Sequence, residues 1–346
     1  MQKSILNRCP DTLMVLLLCM LFALLAGRSS GQSTFTLKDN AIEDSPNLSI
    51  GGTLFGADIY NPNLAFFIEG KLNYRLKKEL GWIKANYTLA FGDRLESVTE
   101  SSTSQDALPA NGTQPLRDIG LSLGYNFIKR VDVKLARATF LNRTKSKKIT
   151  LPLKQYRLYG LHAGYEMFRT IVAQGSTASY TGTIVENSLK GKTVIAGNAT
   201  PMLNMQIVSL GIHRHYIEHW KVQVNNGGEI TDYSSRSVST LYADFLFGMK
   251  ILFDDVMVPL NMNAPNSSTI TTGNSMNDPY NYYRADINGS YKKMPIGGRI
   301  GWEQSVLKSV GLTSCAEIGF RPGIIDPVYN LYIMLKFGLM LNFKAK

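Results

Sequence analysis

Near its C-terminus, from Val328 to Phe343, the chain reads VYNLYIMLKFGLMLNF, and apolar residues return at every second position. Tyr329, Leu331, Ile333, Leu335, Phe337, Leu339, Leu341 and Phe343 share one face of an extended strand. The other face carries Asn330, Tyr332, Lys336, Gly338 and Asn342, with Val328, Met334 and Met340 among them. Side chains alternate across a strand, so this segment predicts one wholly apolar face and one mixed face. It is long for a soluble strand and ample for one crossing a bilayer at a tilt. A continuous apolar face of this length is what contact with lipid selects.

The same alternation recurs along the chain. Strands are predicted over 53–60, 64–74, 80–92, 119–127, 131–140, 156–168, 171–184, 205–216, 220–225, 238–253, 281–288, 296–303, 312–321 and 328–343. Asn61-Pro62-Asn63 is a turn signal, and tight turns are expected at Lys129-Arg130 and over 217–219. Short links fall near 76–79, 129–130, 168–170 and 217–219. Long ones rich in Ser, Thr, Asn, Gly or Lys fall at 93–116, 141–154, 185–203 and 226–237. Short turns at one rim and long loops at the other belong to transmembrane barrels, whose strand number is even when both ends lie on one side. The expected fold is therefore all-β, a transmembrane antiparallel up-and-down β-barrel of about fourteen strands, with twelve as the alternative.

A soluble sandwich also alternates, but its polar faces are simply solvated. Here they mix both signs with small residues: Glu69, Lys71, Lys84, Asp244, Lys250, Arg284, Arg299, Glu303, Glu317, Arg321 and Lys336 beside Gly120, Gly124, Gly160, Gly164, Gly301 and Gly338. That mixture suits side chains crowding a lumen. Only a closed barrel satisfies strand backbone groups in lipid.

The first residues read as a targeting segment. Lys3 and Arg8 precede an apolar run from Leu13 to Ala26, and Arg28-Ser29-Ser30-Gly31 offers small residues at a cleavage site. Residues 1–31 are thus expected to be a cleaved signal peptide, 32–47 a short periplasmic lead and 48–346 the barrel. Cys9 and Cys19 leave with the signal, so Cys315 has no partner for an internal disulfide. The formal charge of +11 loses Lys3, Arg8, Arg28 and Asp11, a net +2, and becomes +9. No basic helix or aromatic-basic motif accompanies that charge, so nucleic acid is not expected as a partner; anionic lipid headgroups are.

The terminal strand also carries a motif. Lys336, Gly338, Leu341 and Phe343 stand where bacterial outer-membrane barrel proteins place the polar, glycine, apolar and aromatic residues of their C-terminal assembly signal. The segment resembles that signal and departs from it in the trailing Lys344-Ala345-Lys346. The resemblance implies a place in the outer membrane, insertion by the barrel assembly machinery, and contact with outer-membrane lipids and lipopolysaccharide.

The leading functional expectation is a porin-like channel for passive passage of small solutes. Lys84, Asp244, Lys250, Arg284, Arg299, Glu303 and Lys336 are its candidate lumen and selectivity residues. The alternative is a closed barrel, its lumen charges paired with one another, acting in structure, adhesion or secretion assembly. His213 and His215 lie two residues apart on one face, a spacing that metal ligands use, but no third ligand is fixed by spacing. Ser209 with His162 or His213 resembles the edge sites of outer-membrane lipases and lipid A deacylases only loosely, because nothing marks a nucleophile with its base. Neither an enzyme nor a cofactor is expected.

Overall fold

The computed structural model describes residues 33–37, 47–60, 63–76, 79–91, 108–109, 116–142, 145–171, 180–185, 189–196, 202–226, 229–261, 269–271, 280–290, 292–324 and 330–343. The expected signal peptide lies outside them. The strands in chain order are β1 (Ser33–Leu37), β2 (Leu48–Tyr60), β3 (Asn63–Arg75), β4 (Gly81–Phe91), β5 (Leu108–Pro109), β6 (Leu116–Asn142), β7 (Lys145–Ile171), β8 (Tyr180–Ile184), β9 (Thr193–Ala196) and β10 (Met202–Asn226). There follow β11 (Glu229–Phe253), β12 (Val256–Asn261), β13 (Thr269–Thr271), β14 (Tyr280–Asp286), β15 (Lys293–Met294), β16 (Ile296–Val306), β17 (Val310–Phe320), β18 (Gly323–Ile324) and β19 (Leu331–Phe343).

Eleven strands form one sheet in the order β1-β10-β11-β16-β17-β19-β2-β3-β4-β6-β7, and a further pairing of β10 with β7 closes it. With β1 set aside at the edge of β10, the remaining ten make a closed antiparallel barrel. The last strand supplies the closure near the chain ends. β19 runs antiparallel to both β17 and β2, so the two ends of the barrel sequence meet side by side.

Ten strands replace the expected fourteen for identifiable reasons. Lys129-Arg130 is not a turn: both residues lie within β6, which joins the two strands expected on either side. Residues 217–219 likewise lie within β10. The segment 171–184 is not a barrel strand, since β7 ends at Ile171 and β8 belongs to another sheet. The strand expected at 281–288 is β14 of that same second sheet. Two mergers and two removals take fourteen to ten.

By the up-and-down order, the links 76–80, 143–144, 227–228 and 307–309 fall on the side where β2 begins and β19 ends. The long loops expected at 141–154 and 226–237 are instead mostly strand. Links on the opposite side include 92–115, 172–201 and 254–295, and these hold the six strands of the second sheet, ordered β13-β9-β8-β14-β12-β5. Every long link lies on this second side, which the β2–β3 link at 61–62 also joins as its one short turn.

The chain divides into two compact units, and residues 41–131, 156–218 and 235–346 form the one that contains the lumen. The other comprises residues 1–40, 132–155 and 219–234. Within it β1, part of the expected periplasmic lead, pairs from Ser33 opposite Asn226 to Leu37 opposite Val222.

Alternation decides what faces outward. On β19 Leu331, Ile333, Leu335, Phe337, Leu339, Leu341 and Phe343 are all exposed, while Tyr332, Met340 and Asn342 are buried. Exposed Leu121, Leu123, Leu161, Leu210, Ile212, Leu241, Phe245, Ile300, Leu312 and Ile318 continue the belt around the barrel. An exposed apolar surface of this extent is incompatible with water and matches the lipid-facing band of a membrane barrel. No helix among the described residues is long and apolar enough to cross a membrane.

Candidate functional site in the barrel lumen

The inward faces enclose a cavity of about 190 Å³, with room for on the order of ten waters. Large side chains reach into it because glycines stand on neighbouring strands. The Trp82 indole lies over Gly124, the His213 ring over Gly160 and the Tyr242 ring over Gly301, each where a Cβ would collide. The glycines expected to relieve crowding therefore make room for aromatic rings.

Ion pairs and hydrogen bonds fill most of the remaining space. Lys84 Nζ on β4 meets Glu303 Oε2 on β16 at 2.5 Å. Five steps around the ten-strand order separate these strands in either direction, so the pair spans the lumen. Arg236 pairs with Glu79 between β11 and the β3–β4 turn, another crossing. Lys336 and Lys71 bind Glu69 at 3.1 and 3.3 Å, and Thr53 donates to the same carboxylate at 2.7 Å. Arg321 reaches Asp58 at 2.7 Å and lies 3.6 Å from the centre of the Tyr332 ring.

Arg299 is the hub. Its Nε donates to Asp244 Oδ2 at 2.6 Å, its Nη2 meets Glu166 Oε1 at 2.6 Å, and Glu317 lies 3.8 Å away. Glu317 in turn accepts from the Tyr242 and Tyr332 hydroxyls. On the other side of Asp244, His162 Nε2 sits 2.6 Å from Oδ1, and His162 Nδ1 is 3.2 Å from His213 Nδ1. His213 Nε2 lies 2.7 Å from Asn126 Oδ1, whose amide is oriented by donation to the Glu79 carbonyl. Which ring nitrogen donates in each of these contacts is set by the ring tautomers.

Apolar side chains close in at both ends of this polar layer. Tyr156, Leu158, Ile217, Val238 and Leu307 cluster near the end of β16, on the short-link side. Toward the other mouth, Leu203, Met205, Ile207 and Leu246 pack with Ile184, Val194, Val256, Ala285 and Ile287 from the second sheet and its neighbours.

Five of the seven expected lumen charges line the cavity: Lys84, Asp244, Arg299, Glu303 and Lys336. Lys250 does not. The alternation on β11 shifts after Leu246, so Ile251 and Phe253 turn into the apolar cluster and Lys250 is exposed. Arg284 lies on β14 of the second sheet, paired with Asp255 at 2.8 Å. Trp82 was missed as a lumen residue, although it shares its face with Lys84, Asn86 and Thr88.

The histidines are placed by the same network. His213 and His215 lie with ring centres 4.5 Å apart and planes tilted by 45°, and Trp82 lies within about 6 Å of both. Among the described residues no three metal-ligating side chains are arranged around a common point. Ser209 is buried with no partner for its hydroxyl, and both nitrogens of His162 and of His213 are engaged elsewhere.

The assembly-signal residues separate by face. Leu341 and Phe343 point outward, whereas Lys336 is tied to Glu69 inside. Gly338 sits at an irregularity in the β19–β2 register, against the Gly52 backbone.

No protein family and no curated relative matches the chain. Among solved structures, the toluene transporter TbuX of Ralstonia pickettii aligns over 86% of this chain and 90% of its own, at 10% identity and a TM-score of 0.21. OmpT, an outer membrane protein of Vibrio cholerae in its trimer form, aligns over 87% of this chain and 100% of its own, at 7% identity and a TM-score of 0.16. At such scores neither bears on fold or function, which rest on the geometry of this chain.

Proposed function

We propose that this chain is an outer-membrane β-barrel with a closed lumen, acting as a structural or adhesive component of the envelope. The observation that carries this reading is the Lys84–Glu303 pair, which ties opposite walls of the barrel. A passive pore needs lumen charges free to meet solutes. Here Lys84, Asp244, Arg299, Glu303 and Lys336 are each committed to a partner. Apolar clusters on both sides of the polar layer further oppose a continuous water path.

The exposed apolar belt suits lipid, and the basic balance suits the anionic headgroups of lipopolysaccharide at its edges. Lys336 turns into the lumen and Gly338 is buried in the closed sheet, so an assembly machine reads the C-terminal motif before β19 pairs with β2. Liposomes loaded with small sugars test the closed lumen. Vesicles carrying the refolded protein should retain their contents as protein-free vesicles do; swelling at porin-like rates would overturn the reading.

A further inference from the structure

Arg75 is a buried cation with no counter-ion among the described residues. It is 9% exposed, its Nη1 has no hydrogen-bond partner, and no carboxylate pairs with it among the described residues. Its side chain lines a second, smaller cavity of about 20 Å³ together with Asn73, Glu79, Trp82, Lys84, His215 and Glu303. The two carboxylates there are already taken, Glu79 by Arg236 and Glu303 by Lys84. Among the described residues around this cavity, the charge left without a paired carboxylate is that of Arg75.

Other residues lining the same space carry unpartnered polar atoms. Trp82 Nε1 and His215 Nε2 lack partners, each on a side chain 7% exposed, and His215 is held by its other nitrogen, 2.7 Å from Thr240 Oγ1. Asn73 Oδ1 is also unsatisfied, and a half-turn of its amide presents the NH2 group instead. Guanidinium and indole N–H groups only donate. Leaving them unpaired in a buried site is costly, and an uncompensated buried charge costs more. A volume of this size holds one or two particles the size of a water.

We propose that this cavity binds a small monovalent anion of halide size, held by Arg75, Trp82 and His215 and serving as the local counter-charge of Arg75. A lone water offers acceptors but no charge, so it satisfies the donors without neutralising Arg75. The inference does not depend on whether the barrel conducts.

The test uses the full refolded barrel in detergent. Its thermal midpoint is measured at constant ionic strength while sodium gluconate, too large for the cavity, is exchanged for sodium bromide. The midpoint should rise and saturate as single-site linkage requires. In Arg75→Gln the bromide response should vanish. Should that variant fail to fold, crystals of the unmodified protein soaked in bromide decide the matter by anomalous scattering. An anomalous peak between Arg75, Trp82 and His215 is the expected result. A midpoint indifferent to the anion, or ordered density there without anomalous signal, makes the occupant water and overturns the proposal.

Discussion

Lys84 Nζ and Glu303 Oε2 stand 2.5 Å apart although 219 residues separate them, and their strands lie on opposite sides of the barrel. Neither side chain is more than about a quarter exposed. Glu303→Gln should leave Lys84 unpaired and destabilise the barrel by on the order of 3 kcal/mol. The double variant Lys84→Met/Glu303→Met should recover much of that loss. Denaturant unfolding in lipid vesicles, analysed as a double-mutant cycle, checks both expectations.

Removing Arg299 should be the most damaging lumen substitution. Arg299→Met leaves Asp244, Glu166 and Glu317 facing one another without their shared cation, an expected cost of about 3–5 kcal/mol. Arg299→Lys should fall between, because a point charge on a flexible stem cannot serve Asp244 and Glu166 as a planar fork does. The same unfolding measurement ranks the two.

The outward face should respond to depth. Phe337 lies at the middle of β19 and is 54% exposed, whereas Val310 begins β17 near the rim and is 58% exposed. Phe337→Arg should cost about 2–4 kcal/mol and Val310→Arg about 0–1 kcal/mol in vesicles. Equal effects would mean the belt does not face lipid.

Gly338 and Phe343 should separate assembly from stability. A Cβ at Gly338 meets the Gly52 backbone, so Gly338→Ala should destabilise even protein refolded without helpers, by about 1–3 kcal/mol. Phe343→Ala removes an exposed outward ring and should reduce insertion in cells while refolding normally in vitro. Insertion levels and unfolding midpoints read the two effects independently.

The barrel and its outward face were legible because both depend on local period. Leu331 to Phe343 declare their face by position alone. The strand number was not legible, because Phe127 to Val131 are exposed at every position and the alternation lapses inside β6. A charged dipeptide there looks like a turn, yet the hydrogen-bonded ladder carries the strand through it. The segment expected as a strand at 281–288 is strand only to Asp286, and β14 pairs with β12 and β8 instead of a barrel neighbour, a choice fixed by tertiary packing. The lumen charges were mostly found by parity, whereas their pairing was not. Nothing near Lys84 in the chain points to Glu303, and only closure at ten strands brings them together. Lys250 failed because one shift in alternation past Leu246 reverses every later side chain.

The most direct test of the closed lumen is single-channel current across a planar bilayer containing the refolded protein. The account predicts an unbroken baseline at both polarities and at high salt. Discrete current steps whose size scales with salt concentration would contradict it, and the lumen bridges would then have to open in the membrane.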